Sequence, residues 1–334
     1  MRVSIAEVEA AVRTAFITAR TSAANAEAVA RALVAAEVDG LSGHGLSRIE
    51  SYSAQSQSGK VDGFAEPTLS VPRASSAMVD AQHGFAYPAI DLAVAHLTDT
   101  ARQTGLAAAA IHRSHHAGAV GHHVERLAAS GLIALFFANT PKALLPTGGT
   151  RALFGTNPIA FAAPQRAADP IVVDMALSEV ARGKILKAAQ AGDPIPEGWA
   201  LDANGRPTTD AQAALSGTLL PIGGPKGAAL ALMVELLAVV LGGANFASEA
   251  GSFFDGDGAP PGVGQLIIAI DPDAFAGRDR VLDRIADLAG DFTDNGDARL
   301  PGSRKRALRE AAKRDGLDVP DAIANALGLS SSRA

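Results

Sequence analysis

Three observations predict an α/β fold for this chain of 334 residues. Short apolar runs recur along its middle, each long enough for a strand buried on both faces. Longer stretches with helical periodicity separate them. Clusters of Gly, Pro and Asp punctuate the boundaries. Composition agrees: 48% of residues are hydrophobic, which suits a packed core rather than a disordered chain. The 29 basic and 35 acidic residues give a net charge of −6, and with no long basic run a nucleic-acid partner is not expected. There are no cysteines, which excludes disulfides, thiol chemistry and Cys-ligated zinc or iron–sulfur sites, and fits a reducing compartment.

The N-terminal part reads as helices. Ser4 and Glu7 match a capping box ahead of one helical run, and a second helix is expected from about residue 24 to 38, stopping near Gly40. The start is amphipathic rather than a continuous apolar core, so it is not read as a signal peptide, and a cytoplasmic protein is expected. "LSGHGLSRIESY" (41–52) reads as a glycine-flanked turn entering a short helix, and Gly59, Gly63 and Pro67 mark an irregular connection. From about Val71 the texture changes. Strands are expected at 76–81, 106–111, 132–139, 158–164 and 170–176, with a helix over 87–105 and another after Ser114. Residues 192–210 read as a surface loop. The apolar stretch 227–244 is the most membrane-like, but Glu235 in its middle is costly in lipid, and it is read as a helix buried in the core or a subunit interface. A strand over 264–271 and a helical tail complete the pattern. No membrane partner is expected.

Familiar catalytic motifs are missing. No G-x-G-x-x-G lies between a strand and a helix; the nearest run, "GDGAPPG" (256–262), has the wrong spacing. There is no P-loop, H-E-x-x-H or G-x-S-x-G. Five of the eight histidines, His112, His115, His116, His122 and His123, crowd into twelve residues. If 115–123 were helical, His115/His122 and His116/His123 would share faces. A metal site would need carboxylates as well, and Glu125 is the only acid nearby; packing roles are expected for at least His122 and His123. His44 stands between Gly43 and Gly45, where backbone can approach a ligand. If "HGLSR" opens a helix, Arg48 shares its face. Arg48 could then grip a carboxylate while His44 supplies a proton next to it; the alternative is a capped turn with a solvent-facing His/Arg pair. Thr156 and Asn157 before Pro158, and Lys226 at a helix start, read either as ligand contacts or as turn chemistry.

Seven runs carry a resemblance: "DGLSGHGLSRI", "IHRSHHAGAVGHHVE", "LFGTNPIAFAAP", "PIVVDMALSEVARGKI", "PEGWALDANGRPTTD", "GGPKGAALALMVELLA" and "GQLIIAIDP". In this order they resemble the type-2 malate/L-lactate dehydrogenase family, which includes malate, lactate, sulfolactate, ureidoglycolate and diketogulonate dehydrogenases and the cyclic-imine reductases. The resemblance implies a non-Rossmann NAD(P)-binding α/β fold of the L-sulfolactate/malate dehydrogenase-like type. Residues 1–70 with 290–334 would form a helical, dimerising domain from both termini, and 71–289 the NAD(P)-binding domain. It implies a homodimer with the active site near the interface. His44 would be the proton donor. Arg48, Thr156, Leu177 and Ser178 would bind a small carboxylate substrate. His116, Ala117, Gly118, Ala119, Val120, Asp174, Met175, Ala176, Pro225, Lys226, Arg299, Arg304 and Lys305 would contact the cofactor. No metal is implied. NADPH is the preferred cofactor, with NADH possible, because Arg299, Arg304, Lys305 and Arg306 could hold a 2′-phosphate; the alternative is a solvated basic helix start.

Three positions depart from the family pattern. Gly43 stands where imine reductases have a serine before the histidine, Lys184 where they have an aspartate, and Pro225 where many members have histidine. The serine and the aspartate form a relay with the histidine in those relatives. The overall wording resembles the proline-forming imine reductases, implying reduction of Δ1-pyrroline-2-carboxylate to L-proline and of Δ1-piperideine-2-carboxylate to L-pipecolate. The alternatives are a malate/L-lactate-type 2-hydroxy-acid dehydrogenase, for which Lys184 or Arg182 could meet a second carboxylate, and a non-catalytic binding protein on the same scaffold.

Overall fold

A computed structural model describes residues 1–329. The chain opens with a two-residue strand, β1 (Arg2–Val3), and α1 (Ile5–Thr18), whose capping box closes as expected through Ser4 and Glu7. Val8, Val12 and Phe16 repeat every four residues and are fully buried, so one stripe faces the core. Helix α2 (Ala23–Val38) is capped by the Ser22 side chain, and α3 (Ile49–Ser58) ends on Gly59 in the left-handed region.

A seven-stranded sheet forms the centre. Its strands are β2 (Thr68–Arg73), β3 (Ser76–Asp80), β4 (Leu106–Ser114), β5 (Ile133–Ala138), β6 (Ile159–Ala163), β7 (Ile171–Met175) and β10 (Val263–Ile270), in the order β2-β3-β4-β10-β5-β6-β7. Only β3–β4 is parallel, and it is joined by the helical crossover that a parallel pair requires, α4 (Ala86–Thr104). The five other pairs are antiparallel. The central strands are apolar on both faces. Ala107, Ala109 and Ile111 of β4, with Ile267 and Ala269 of β10, pack under α4 and α5 (Gly121–Ala129). Ala110, Phe137 and Leu266 face the other way, toward α6 (Arg182–Ala191), α7 (Ala211–Leu215) and α8 (Pro225–Glu235). Double-sided burial explains why the strands read as continuous apolar runs.

Residues 192–210 are not wholly a surface loop. Ala200–Leu201 forms β8, pairs with β9 (Thr218–Leu219) and is buried. The apolar stretch splits at Glu235: α8 ends there and one π-turn follows over Leu236–Val240. Glu235 is buried, accepting from Asn157 Nδ2 at 2.9 Å and Ala247 N at 2.7 Å. Among the described residues no helix is long and apolar enough to cross a membrane. The tail forms α9 (Arg278–Thr293), α10 (Ser303–Asp315), β11 (Leu317–Asp318) and α11 (Asp321–Ala326). Strand β11 pairs with β1, so Ala312, Leu317, Val319 and Ala324 share a core with α1 and α2.

Candidate active site

The turn after α2 does not form one helix. Ser42–His44 and Leu46–Arg48 each make a single 3₁₀ turn, broken at Gly45 (φ −101°, ψ −136°). His44 and Arg48 are thus not neighbours on a helical face, the arrangement considered from sequence. They meet differently: Arg48 caps α3, and its Nε donates back to Gly43 O at 2.7 Å. The guanidinium lies 4.8 Å over the Phe254 ring and makes no ion pair with a described residue. With Nε engaged, its two terminal nitrogens remain for a carboxylate.

Residues 115–120 are not helical either, since α5 starts only at Gly121 and Gly118 sits at φ +66°. A Cβ on Gly118 would come 2.6 Å from Tyr87 Oη, so glycine lets this segment run close past the Tyr87 ring. The extended path separates the histidines. His116 stacks on His44, with ring centroids 5.2 Å apart, and packs on Phe253 at 4.9 Å. Its Nδ1 hydrogen-bonds the Tyr52 hydroxyl. His115 Nε2 bonds Gln55 Oε1 at 2.8 Å while Gln55 Nε2 donates to Phe253 O at 2.8 Å. The amide therefore offers His115 only its oxygen, making His115 the Nε2–H tautomer. His123 packs on Phe136 and bonds Ala117 O, and His122 Nε2 bonds Asp39 Oδ2 at 2.8 Å, the hydrogen-bonded packing roles expected of both. Among the described residues no cluster of three or more His, Asp or Glu suits a metal ion.

Burial sets the charge of this cluster. Burial first, then Arg48 and His122, lower His44 to about 4. Burial, Arg48 and Lys60 lower His115 to about 3, and His116 is held well below its usual value by burial and Arg48. Burial raises Tyr52 to about 12. Around neutral pH the rings are neutral and Arg48 carries the positive charge facing them.

The other residues nominated from sequence fall into two groups. Asp174 Oδ2 accepts from Gly121 N at 2.8 Å, joining β7 to the start of α5. Gly302 passes 3.3 Å from Val172 O at its Cβ position, so the 299–305 segment runs along β7 and brings Lys305 close enough for its charge to act on Asp174. Thr156 O accepts from Leu177 N at 2.8 Å, and Ser178 bridges to Pro221. Met175 and Ala176 continue β7 toward them. Pro225, Lys226, Arg299 and Arg304 are exposed. Arg182 donates to Leu215 O at 2.6 Å, which ties α6 to α7, while Lys184 is exposed. Three of the nominated residues, His44 (Nδ1), Ser178 (Oγ) and Lys305 (Nζ), hold a buried polar atom with no hydrogen-bond partner among the described residues. Such a group costs about 1–3 kcal/mol when left unpaired, so each of the three is a candidate ligand contact.

The malate/L-lactate dehydrogenase family model matches residues 3–328. The chain belongs to the malate/L-lactate dehydrogenase family. It is 50% identical over 302 residues (90% of each chain) to a (2R)-3-sulfolactate dehydrogenase (NADP(+)) of Chromohalobacter salexigens. It is 43% identical over 326 residues (96% of this chain, 94% of the other) to a Δ1-pyrroline-2-carboxylate/Δ1-piperideine-2-carboxylate reductase of Pseudomonas putida. The crystal structure of a Δ1-piperideine-2-carboxylate reductase from Pseudomonas syringae superposes with a TM-score of 0.93 over 98% of both chains at 39% identity. The chain is an oxidoreductase.

Sequence reasoning missed Tyr52, Gln55, Phe253 and Phe254. Tyr52 was reachable, lying four residues beyond Arg48 at the start of a helix. Phe253 and Phe254 come from a distant loop, and nothing local in "SFFDG" points to a histidine cluster.

Proposed function

We propose that this oxidoreductase reduces a cyclic ketimine carboxylate, Δ1-pyrroline-2-carboxylate to L-proline and Δ1-piperideine-2-carboxylate to L-pipecolate, with NADPH as the preferred cofactor and NADH as the second. The observation that carries this reading is Arg48, a guanidinium without a carboxylate partner among the described residues, beside a half-buried His44 whose buried Nδ1 has no hydrogen-bond partner. Arg48 would hold the substrate carboxylate through its terminal nitrogens. His44 would hand a proton to the imine nitrogen as hydride reaches the adjacent carbon, so the C=N double bond becomes C–N and N–H and C–H bonds form. Thr156, Leu177 and Ser178 line the substrate side in this reading.

The nicotinamide cofactor supplies the hydride. The residues that fit it are the run His116–Val120, the segment Asp174–Ala176, and Lys305, whose buried Nζ has no hydrogen-bond partner among the described residues and lies 3.6 Å from Asp39 Oδ2. Pro225, Lys226, Arg299 and Arg304 extend that list on the resemblance alone. The His116 ring stacked on His44, backed by Phe253, covers one side of the donor.

A second reading is a sulfolactate- or malate-type 2-hydroxy-acid dehydrogenase, favoured by the 50% identity to the sulfolactate enzyme. Its substrates carry two anionic groups and need a second cation. Arg182 is engaged by the Leu215 carbonyl, so the cation for the second anionic group would be Lys184, which is exposed and has no ion-pair partner among the described residues. The deciding experiment is NADPH and NADH oxidation by the purified protein with Δ1-pyrroline-2-carboxylate, pyruvate, oxaloacetate and sulfopyruvate in parallel. Turnover confined to the oxo acids would overturn the ketimine reading.

We further propose a cytoplasmic homodimer. Leu230, Leu232, Met233, Leu236, Val240 and Leu241 leave an apolar face of α8 and its π-turn open, a face suited to a second copy. Light scattering that gives the monomer mass would refute this.

A further inference from the structure

Departure from the family pattern at Gly43 and Lys184 leaves open what orients His44, and the turn itself supplies a candidate. Glu37, two residues before the α2 C-cap, sends its carboxylate under the turn. Oε1 accepts from Ser42 Oγ at 2.8 Å, and Oε2 accepts from Leu46 N at 2.9 Å. The two bonds bracket His44, one from two residues before it and one from two residues after. Gly45 makes room for them, because a Cβ there would collide with Glu37 Oε2. The turn is also tied to itself, through Ser47 Oγ to Ser42 O at 2.5 Å and Arg48 Nε to Gly43 O at 2.7 Å. Glu37 makes no ion pair with any described residue, so its carboxylate serves the turn alone.

We propose that Glu37 is the positioning residue of His44, holding the proton donor by a carboxylate bracket from helix α2 at a turn where Gly43 and Lys184 depart from the family pattern. This inference rests on the proposed role of His44. Glu37 touches neither substrate nor cofactor and acts only through the turn. Misplacing a reacting group by about 1 Å costs on the order of 10²-fold in rate, so release of the bracket is expected to lower kcat by about 10- to 100-fold.

The test compares Glu37→Ala, Glu37→Gln and Ser42→Ala in the full-length protein. Glutamine can still accept from Leu46 N and can donate to Ser42 Oγ, so it should restore most of the rate that alanine loses. Ser42→Ala removes one of the two bonds and should fall between them. Independently of any substrate, the His44 ring resonance in histidine-labelled protein should move or broaden in Glu37→Ala and return in Glu37→Gln. A Glu37→Ala protein with parental kcat and an unmoved His44 resonance overturns the proposal. So does a Glu37→Gln protein as impaired as Glu37→Ala. If the parent itself turns over no ketimine, the functional reading fails while the resonance test still decides the bracket.

Discussion

Replacing Arg309 by alanine measures how firmly the C-terminal helix is fastened beside the site. Asp39, whose side chain is 1% exposed, takes Arg309 Nε at 2.7 Å and Nη2 at 2.8 Å, and the same guanidinium grips Glu125 at 2.5 and 2.9 Å. His122 bonds the same Asp39 carboxylate, and Lys305 lies 3.6 Å from it. Burial alone would raise the Asp39 carboxyl, but the bonds from His122 and Arg309 outweigh it and hold the group far below its usual range. Three segments meet here: the end of α2 that leads into the His44 turn, the first turn of α5 that follows the 116–120 run, and α10. Removing one member of a buried ion pair costs about 3–5 kcal/mol, because the remaining charge is left unpaired. The Arg309 side chain is 32% exposed, which favours the lower end, about 3 kcal/mol. An unfolding entropy of about 2.1 cal/mol/K per residue gives about 0.7 kcal/mol/K for 334 residues, so Tm should fall by about 4 °C. Asp39→Ala should cost less, since Arg309 keeps both oxygens of Glu125. Thermal unfolding followed by circular dichroism near neutral pH checks both. An Arg309→Ala protein within about 1 °C of the parent would refute the reasoning, and a larger loss for Asp39→Ala would reverse the order assigned to the two partners.

Two further expectations follow from burial and close approach. His115 and His123 are held at about 3 and about 4, mainly by burial, against 6.5 in an unfolded chain. Between these values the unfolded chain binds more protons, so the stability present above pH 6.5 is lost as pH falls toward 4, at about 1.4 kcal/mol per pH unit for each histidine. Denaturant titrations across that range should show this slope, and His123→Gln should flatten it; a flat profile in the parent would mean the rings are hydrated. Gly264, on the central strand β10, faces the π-turn so closely that a Cβ would overlap Ala238 O. Gly264→Ala should therefore lower stability by about 1–3 kcal/mol, read as a shift of the denaturant midpoint at constant slope, and an unchanged midpoint would show that the π-turn yields freely.

The sheet was legible because burial on two faces writes itself into the sequence. β4, β5, β6, β7 and β10 are runs of Ala, Val, Ile, Leu and Phe with few polar interruptions; β5, β6, β7 and β10 were each found within a residue, while β4 runs three residues past its expected end, through His112–Ser114. Edge strand β2 was not, since Thr68, Ser70 and Arg73 leave it polar, exposed and set by its pairing with β3 rather than by its own residues. Strands β1 and β11 have two residues each and exist because the termini meet, a contact no local window contains. In the site, glycine misled helical reasoning twice. Gly45 breaks the His44 turn and Gly118 delays α5 to Gly121, so both spacing arguments, for His44 with Arg48 and for the paired histidines, used a periodicity the backbone does not have.

The depressed His44 pKa looks at odds with a proton donor, and the resolution gives a sharp prediction. In the free protein His44 lies at about 4, lowered first by burial and then by Arg48. A neutral imidazole would have to give up its last proton to act as an acid, which is far harder than releasing one from imidazolium. A carboxylate bound on Arg48 cancels the positive charge that faces the ring, so one of the forces that lower its pKa disappears when substrate arrives. Binding should therefore raise the His44 pKa and draw a proton from solvent at mildly acidic pH. Calorimetry of L-proline binding to the cofactor-loaded protein, in two buffers of different ionisation enthalpy, reads that uptake directly. Uptake should vanish in His44→Gln. Arg48→Ala should raise KM steeply, because the carboxylate grip is lost, and should raise the resting His44 pKa as well. Carboxylate binding with no proton uptake in the parent would separate Arg48 from His44 electrostatically, and the proton would then have to come from another group or with the imine already protonated.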